Sequence, residues 1–336
     1  MPKKNGAQLA AINYNKAVPH VYEELKDWLA ERDVELVLAE CKSEGEALAA
    51  AAAAEIFIAY KFQMTRKILT GLPNLRLLIS SSIGYDHIDV QAATDCGIVV
   101  TNPATHCVED VAEINLGLVL ALARKLCILA KASGQGKWRP DIQPIHRFCN
   151  LTVGIVGFGK IGRAFAWRVK ALGFKVLACS GSVPPEEIVK QGIEPVSYDE
   201  LLRRSDFVSL HLALTDLTRH RLGVDQLKLM KSTAYVINTS RGGLIDESAL
   251  IKALQEGWIS GAGLDVLETE PPDRNNALLT MDNVIVTAHS AANTAEAPQA
   301  WIDEWKQIID EYLSGLWPIN VLNPEVKPKA PLKKKT

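Results

Sequence analysis

Three charged residues in the second half of the chain have the types and the order that acid–base chemistry needs. Arg241 and His289 each follow closely after an apolar run, and Glu270 lies between them in the sequence. An arginine fork binds a carboxylate through two parallel hydrogen bonds, and an imidazole exchanges a proton near neutral pH. A carboxylate bonded to the second ring nitrogen orients the imidazole. The trio therefore suits proton transfer to the carbonyl group of a small anionic acid.

The choice of carboxylate leaves one alternative open. Glu268 is a second candidate for that role, and we favour Glu270, which stands next to Pro271. An arginine, glutamate or histidine after a strand is more often structural than catalytic when it occurs alone. The prediction depends on all three segments occurring together, each near the carboxyl end of a strand, where open α/β sheets bind ligands.

A glycine-rich stretch upstream of this trio indicates a dinucleotide. The sequence Gly157-Phe-Gly159-Lys160-Ile161-Gly162 follows an apolar run and opens a predicted helix. Gly157 permits a tight turn, Gly159 lets the backbone approach a pyrophosphate, and Gly162 allows close helix–strand packing. The phosphates would bind to free N–H groups at the start of the helix, around Lys160 and Ile161. A glycine-rich turn without a ligand is the alternative, and the strand–turn–helix context argues against it.

The end of the next strand bears on the choice between NAD and NADP. An acidic residue there would hold the adenine ribose of NAD, but the position is Ser180, followed by Gly181-Ser182. No arginine stands there to hold a 2′-phosphate. Because the missing acid removes a source of repulsion against NADP, both cofactors stay open, with a slight lean towards tolerance of NADPH.

The elements that position these residues alternate between strand and helix, which predicts an α/β fold of two doubly wound parallel-sheet domains. We place the first domain at 1–102 with 290–336, and a dinucleotide-binding domain at 103–289. A long helix is predicted from about 107 to 133, and a late amphipathic helix at 301–313. The proline- and lysine-rich tail from Pro324 is predicted to be disordered, with a basic interaction arm as the alternative. Strands are predicted at 8–12, 34–38, 55–60, 75–80, 97–100, 153–156, 175–179, 207–212, 234–237, 261–266 and 284–287.

Composition excludes several classes of function. The chain has 336 residues, 48% of them hydrophobic, and a net charge of −2, so a packed core is expected and a nucleic-acid partner is not. The six cysteines form no C-x-x-C pair, which favours reduced thiols and a cytoplasmic location. The apolar run 114–130 is too interrupted to span a membrane, and the histidines show no metal-ligand spacing.

Together these motifs resemble the D-isomer-specific 2-hydroxyacid dehydrogenase family. The resemblance extends over nearly the whole chain, and the Arg, Glu and His segments in this order are highly specific. It implies a dehydrogenase that moves a hydride between NAD or NADP and a small 2-keto or 2-hydroxy acid, with its active site in the cleft between two domains. The segments that carry the resemblance are 82–89, 111–113, 157–162, 238–247, 263–272 and 286–292.

The resemblance also implies roles for single residues. Arg241 would bind the substrate, His289 would be the acid/base and Glu270 its partner. Asp265 would contact the nicotinamide amide. The further cofactor-binding positions are Gly157, Gly159, Lys160, Ile161, Gly162, Ser180, Thr239 and Ser240.

Two regions outside the dinucleotide-binding domain are implied to matter. The backbone of Ser82, Ile83 and Gly84 would hold the substrate carboxylate. The helix after Asn102 would help to form a homodimer. As a separate hypothesis, Lys61 contacts a second anionic group on the substrate; a surface lysine is the alternative.

Departures from the family pattern limit what can be carried over. The family usually has proline before the catalytic histidine, and Ala288 in its place is expected to loosen the turn. Ile83 replaces the lysine of phosphite dehydrogenases, and Glu270 replaces the glutamine of formate dehydrogenases, so both substrates are disfavoured. A nicotinamide-sensing corepressor-type protein keeps the same trio and stays as the alternative function.

Overall fold

A computed structural model describes residues 7–16, 18–142 and 144–334. They form two compact units, one comprising the chain up to Cys107 together with the part from Thr294 onward, the other Val108–Asn293. Each unit contains one sheet, and every pairing between its strands is parallel. The prediction of two doubly wound α/β domains is confirmed.

The strands are short and mostly buried on both faces, as expected for parallel sheets covered by helices. The first sheet has the order β2-β1-β3-β4-β5 and the second β12-β11-β10-β9-β6-β7-β8. Their bounds are β1 (Ala7–Ile12), β2 (Val34–Ala39), β3 (Ile56–Ala59), β4 (Leu77–Ser80), β5 (Val99–Thr101), β6 (Thr152–Val156), β7 (Lys175–Cys179), β8 (Glu194–Pro195), β9 (Phe207–Leu210), β10 (Tyr235–Asn238), β11 (Gly261–Leu264) and β12 (Val284–Val286).

The helices cover the sheets with apolar faces. In α1, for example, Val21, Tyr22, Leu25 and Leu29 are buried at helical spacing, and a proline begins the helix. The helices are α1 (Pro19–Ala30), α2 (Glu44–Ala50), α3 (Arg66–Gly71), α4 (Val90–Asp95), α5 (Val108–Ala123), α6 (Leu126–Gly134), α7 (Lys160–Ala171), α8 (Pro185–Val189), α9 (Tyr198–Arg204), α10 (Val224–Leu229), α11 (Glu247–Gln255) and α12 (Ala297–Leu313).

The strand order of the second sheet defines a ligand-binding edge. The chain runs from β6 through β7 to β8 in one direction and then places β9 on the other side of β6. Loops that leave the carboxyl ends of β6 and β9 therefore diverge, which opens a crevice where ligands of such sheets bind. Gly157 follows β6 and His211 follows β9 at this edge.

The single long helix predicted from about 107 to 133 is wrong. The chain forms α5 and α6 instead, because Lys125 has a φ of +55°, which no α-helix can contain. The amide of Lys125 bonds to the carbonyl of Leu122 at 3.1 Å, which ends α5 in a tight turn.

The prediction of a disordered tail is also wrong for the part of it that the structure describes. Val326 is buried among the apolar residues of the first unit. The Lys329 amide donates to the Gly97 carbonyl at 3.0 Å, and its ammonium lies 3.1 Å from the carbonyl oxygens of Pro73 and Leu75. The lysine-rich composition did not predict this ordered segment, because Lys329 binds backbone carbonyls that come together only in the folded unit.

Candidate active site

The glycine turn after β6 has the geometry that a dinucleotide requires. Gly157 has a φ of +96°, and a Cβ atom there would overlap the His211 carbonyl oxygen. A Cβ atom at Gly162 would overlap the carbonyl oxygen of Gly157, whereas one at Gly159 would meet nothing within 4 Å. The open space beside Gly159 and the amides that begin α7 at Lys160 fit a pyrophosphate. The residues present therefore fit NAD or NADP.

Ser180 lies directly after β7, where an acid would bind the ribose of NAD. Its Oγ accepts hydrogen bonds from the backbone amides of Ser182 at 3.3 Å and Val183 at 3.1 Å. The hydroxyl thus caps a turn, and its own proton stays available for a donor bond.

Arg241 extends from a tightly bonded turn after β10. The Asn238 side chain donates to the Arg241 carbonyl at 2.8 Å and accepts from the Ser240 amide at 3.1 Å. The Ser240 hydroxyl donates to the Leu210 carbonyl at 2.8 Å. A Cβ atom at the following Gly242 would overlap the Leu267 backbone, so this turn lies directly against the segment that carries Glu270.

A buried chain of polar side chains supports the same turn, and the sequence alone did not indicate it. The Asn115 amide on α5 donates to Thr239 Oγ1 at 2.5 Å, and its oxygen accepts from Ser209 at 3.0 Å. Because the Ser209 proton goes to Asn115, His211 Nε2, at 2.9 Å from Ser209 Oγ, must donate. His211 Nδ1 is buried and has no hydrogen-bond partner among the described residues; burial lowers the pKa of His211 to about 3.

His289 and Glu270 form a histidine–carboxylate pair of the kind that acid–base catalysis needs. His289 Nδ1 lies 2.6 Å from Glu270 Oε2, and Glu270 Oε1 accepts from the Leu267 amide at 3.1 Å. A carboxylate only accepts, so Nδ1 carries a proton and Nε2 is the nitrogen that can exchange one. The rival Glu268 is engaged elsewhere, since its Oε1 lies 2.6 Å from Nε2 of His220.

The turn that carries His289 has an unusual backbone. Ala288 and His289 have φ values of +52° and +54°, the left-handed region that residues other than glycine seldom adopt. A proline ring fixes φ near −65°, so proline is incompatible with this conformation. Ala288 is therefore compatible with this left-handed turn, and the expectation that it loosens the turn stays a prediction.

Asp265 holds this turn in place. The Asp265 side chain is 2% exposed. One carboxylate oxygen accepts from the Thr287 hydroxyl at 2.5 Å and the Ser290 amide at 2.8 Å, and the other accepts from the Ala291 amide at 3.1 Å. The Asp265 carbonyl accepts from the His289 amide at 2.5 Å. In these contacts Asp265 positions the histidine, a role that sequence reasoning missed.

In the first unit, the loop Ser82–Gly84 has its carbonyl groups tied by side chains. Ser80 Oγ lies 2.9 Å from the Ser82 carbonyl oxygen and 2.7 Å from that of Gly84, and the Asn102 amide donates to the Ile83 carbonyl at 2.6 Å. The Ser82 amide itself donates to Ser80 Oγ at 3.4 Å, so the amides of Ile83 and Gly84 are the ones that the loop can offer to an anion.

An aromatic residue contacts the segment directly before this loop. The indole N–H of Trp301 donates to the Ser81 carbonyl, and the Trp301 ring lies 6.1 Å from that of Tyr60 between centroids. Lys61 is exposed, with its ammonium 5.7 Å from the Tyr60 ring centroid. Lys61 lies two residues after the end of β3, as the sequence predicted.

Comparison with known proteins defines the family. Residues 116–291 match the model of the D-isomer specific 2-hydroxyacid dehydrogenase, NAD binding domain. The chain is 38% identical to a glyoxylate reductase of Thermococcus litoralis, over 80% of this chain and 83% of that protein.

Solved structures agree. The NADPH-dependent glyoxylate/hydroxypyruvate reductase of Sinorhizobium meliloti, in complex with NADP and malonate, has a TM-score of 0.82 at 27% identity, covering 95% of this chain and 97% of that one. A D-lactate dehydrogenase of Aquifex aeolicus with NAD and lactic acid has a TM-score of 0.80 at 29% identity, covering 91% and 96%.

The chain belongs to the D-isomer specific 2-hydroxyacid dehydrogenase family. It is an oxidoreductase that uses NAD or NADP to transfer a hydride to or from a small 2-keto or 2-hydroxy acid. This confirms the sequence prediction, and the corepressor alternative is not favoured. Among the described residues, no helix is long and apolar enough to span a membrane, and no three metal-binding side chains are grouped.

Proposed function

We propose that this dehydrogenase interconverts a very small 2-keto acid, glyoxylate or hydroxypyruvate, and the corresponding 2-hydroxy acid. The observation that carries the proposal is the 2.6 Å contact between His289 and Glu270. Glu270 lies on the segment against which the Arg241 turn packs. Relatives named glyoxylate reductase and hydroxypyruvate reductase support the choice of acid.

The proposed mechanism divides the work among these residues. Arg241 binds the substrate carboxylate and polarises its carbonyl group through charge-assisted hydrogen bonds. His289 Nε2 gives a proton to the oxygen as the carbonyl is reduced, and Glu270 stabilises the imidazolium before that transfer. Asp265 keeps the histidine in position. Thr239, Ser240 and the glycine turn would hold the nicotinamide cofactor, which would supply or accept the hydride.

We propose roles in substrate binding for residues of the first unit as well. The loop of Ser82, Ile83 and Gly84 binds the carboxylate through the amides of Ile83 and Gly84, a role supported by the engagement of the loop's carbonyl groups. Lys61 binds a second anionic group on longer acids. In this assignment residues 1–102 with 290–336 form the substrate domain, and 103–289 form the dinucleotide-binding domain.

A spectrophotometric screen tests the proposed function. The purified protein receives NADH or NADPH with glyoxylate, hydroxypyruvate, pyruvate, oxaloacetate or an aromatic keto acid, and nicotinamide absorbance is followed. We expect turnover with one of the first two acids, abolished by His289→Ala. Cofactor binding without turnover of either acid would contradict the proposal.

We also propose a cytoplasmic homodimer that associates through α5 and α6. In α6 only Ala132 is buried. Leu126 of α6 is 53% exposed, and Trp138, which follows the helix, is 83% exposed. No described part of the chain covers these two apolar side chains. A second copy would bury them. The free thiols of the described cysteines support a reducing compartment.

Sedimentation equilibrium tests the dimer. We expect the wild type to have twice the 36.7 kDa chain mass and Leu126→Asp to dissociate. The matched control is Leu217→Asp, because Leu217 is 90% exposed on a different loop. A monomeric wild type, or equal behaviour of both variants, would refute this interface.

A further inference from the structure

At the carboxyl end of β7, Ser180 stands where an acid would bind the ribose of NAD. A distant part of the sequence supplies a cation to this region. Arg221 lies between β9 and α10, far along the chain from Ser180. Its amide donates to the Thr218 carbonyl at 3.1 Å, and its carbonyl accepts from the Tyr198 hydroxyl at 3.0 Å. The guanidinium carbon lies 4.5 Å from the centroid of the Tyr198 ring. The stacked ring restricts the arginine, which leaves its fork of N–H groups pre-oriented.

This stack lies beside the carboxyl end of β7. The last residue of β8 pairs with Ala178, the Val196 amide donates to the Ala178 carbonyl at 3.0 Å, and Tyr198 begins α9 two residues later. Burial raises the pKa of the Cys179 thiol to about 11, and the positive charge of Arg221 acts on that thiol in the opposite direction. The charge of Arg221 therefore reaches the residue directly before Ser180.

The local charges favour an anion over a ribose diol. Arg221 is exposed and has no carboxylate within 4 Å among the side chains that the structure describes. The nearby Asp199 pairs with Arg203 at 3.9 Å. Ser180 accepts from two amides and so has a hydroxyl proton to donate. A cation and a donor hydroxyl match a phosphate monoester better than they match two hydroxyl groups.

We propose that Arg221, with the Ser180 hydroxyl, binds the 2′-phosphate of NADP(H), and that the enzyme prefers NADP(H) over NAD(H). The inference deepens the proposed function by naming its cofactor. It depends on a dinucleotide lying over the glycine turn and not on which acid is reduced. The sequence did not reveal it because the arginine comes from the loop after β9 and not from the strand that ends at Ser180.

Nucleotide binding without turnover tests the proposal. Isothermal titration of the full-length protein compares adenosine 2′,5′-bisphosphate with adenosine 5′-monophosphate, which differ only in the 2′-phosphate. We expect the bisphosphate to bind about ten- to a hundredfold more tightly, the range of a charge-assisted hydrogen bond. Arg221→Gln should remove most of that advantage and leave the affinity for the monophosphate unchanged.

Kinetics and a matched variant complete the test. We expect Arg221→Gln to lower kcat/KM for NADPH by a similar factor and to leave kcat/KM for NADH unchanged. Arg203→Gln, on the neighbouring helix, should alter neither. Equal affinity of the wild type for the two nucleotides, or discrimination that survives Arg221→Gln, overturns the inference. A protein that binds the bisphosphate selectively but reduces no keto acid overturns the proposed function alone.

Discussion

Two neighbouring residues with left-handed backbone, Ala288 and His289, aim the imidazole that the proposed mechanism uses. An L-residue other than glycine adopts this region at a cost of roughly 1 to 2 kcal/mol. The turn persists because the backbone amides of Ser290 and Ala291 bond to the buried Asp265 carboxylate. The conformation is thus maintained from outside the histidine itself.

Substitution of Ala288 tests this view of the turn. We expect Ala288→Gly to retain wild-type kcat, because glycine adopts a positive φ without strain. Ala288→Pro should lose most of its activity, because the ring cannot reach a φ of +52°. Cofactor binding, measured by NADPH fluorescence, should survive in both. An active proline variant would show that the left-handed turn is not required.

The two glutamates near the site offer a matched pair of variants. Glu270 bonds to His289 and Glu268 to His220, each at 2.6 Å. We expect Glu270→Gln to lower kcat for glyoxylate by about tenfold or more, because the amide stabilises an imidazolium less than a carboxylate does. Glu268→Gln should stay within about twofold of wild type. If Glu268→Gln lowered kcat more than Glu270→Gln does, Glu268 and not Glu270 would be the carboxylate that assists catalysis.

The sequence led to the prediction that Glu270 is the partner of His289, and the two side chains lie 2.6 Å apart, but the sequence did not indicate which groups position them. The trio could be predicted because each member follows a strand and has a distinctive type. Asn115 could not, since it acts through a contact with Thr239, about 120 residues away in the sequence. The proposed role of Arg221 could not either, since it depends on the packing of Arg221 against Tyr198, on a different segment. Local pattern contains no information about such partners.

At the scale of elements, the turn between β6 and α7 contains one glycine that packing requires, Gly162, and one that ligand binding requires, Gly159. A Cβ atom at Gly162 would overlap the Gly157 carbonyl, whereas one at Gly159 would enter open space. We expect Gly159→Ala to keep the wild-type melting temperature and lose NADPH affinity. Gly162→Ala should lower both. The control is Gly45→Ala in α2, where a Cβ atom also meets nothing within 4 Å.

Calorimetric melting and NADPH titration on the three variants check this expectation. Gly45 lies within α2, where alanine is favoured over glycine by about 0.5 to 1 kcal/mol, so Gly45→Ala should not melt below the wild type. If Gly159→Ala binds NADPH normally, the open space beside it is not the pyrophosphate site.

Most elements could be predicted from periodicity, because buried parallel strands are continuous apolar runs. The two errors have physical causes. The break between α5 and α6 arises from one left-handed residue, Lys125, in a stretch that otherwise has the composition of a single helix. The ordered tail depends on backbone acceptors near Gly97 and Leu75, which sequence composition does not describe.

For the whole molecule, His211 makes stability depend on pH. Burial lowers its pKa from 6.5 to about 3, so the unfolded chain binds a proton below about pH 6.5 that the folded chain does not. Above about pH 6.5 the free energy of unfolding loses nothing to this group. Below that pH it decreases by up to about 1.4 kcal/mol per pH unit because of His211. His211→Gln should reduce the slope.

Urea unfolding at pH 7, 6 and 5 measures this dependence. As the pH is lowered from 7 to 5, the free energy of unfolding should decrease more steeply for the wild type than for His211→Gln. His146→Gln, which changes an exposed histidine, should keep the wild-type slope. Parallel curves for wild type and His211→Gln would show that His211 is not the group responsible.

The first unit is built from two separated stretches of chain, and α12 supplies Trp305, which is fully buried in its core. During synthesis at about 5 to 20 residues per second, Leu313 is added roughly 10 to 40 seconds after Cys107. The second unit is continuous and can fold in that interval, while one apolar face of the first unit's sheet has α1 but not yet α12 packed on it. The nascent chain therefore passes through a stage at which chaperone protection of its amino-terminal part is most valuable, and the part made first is the last to be completed.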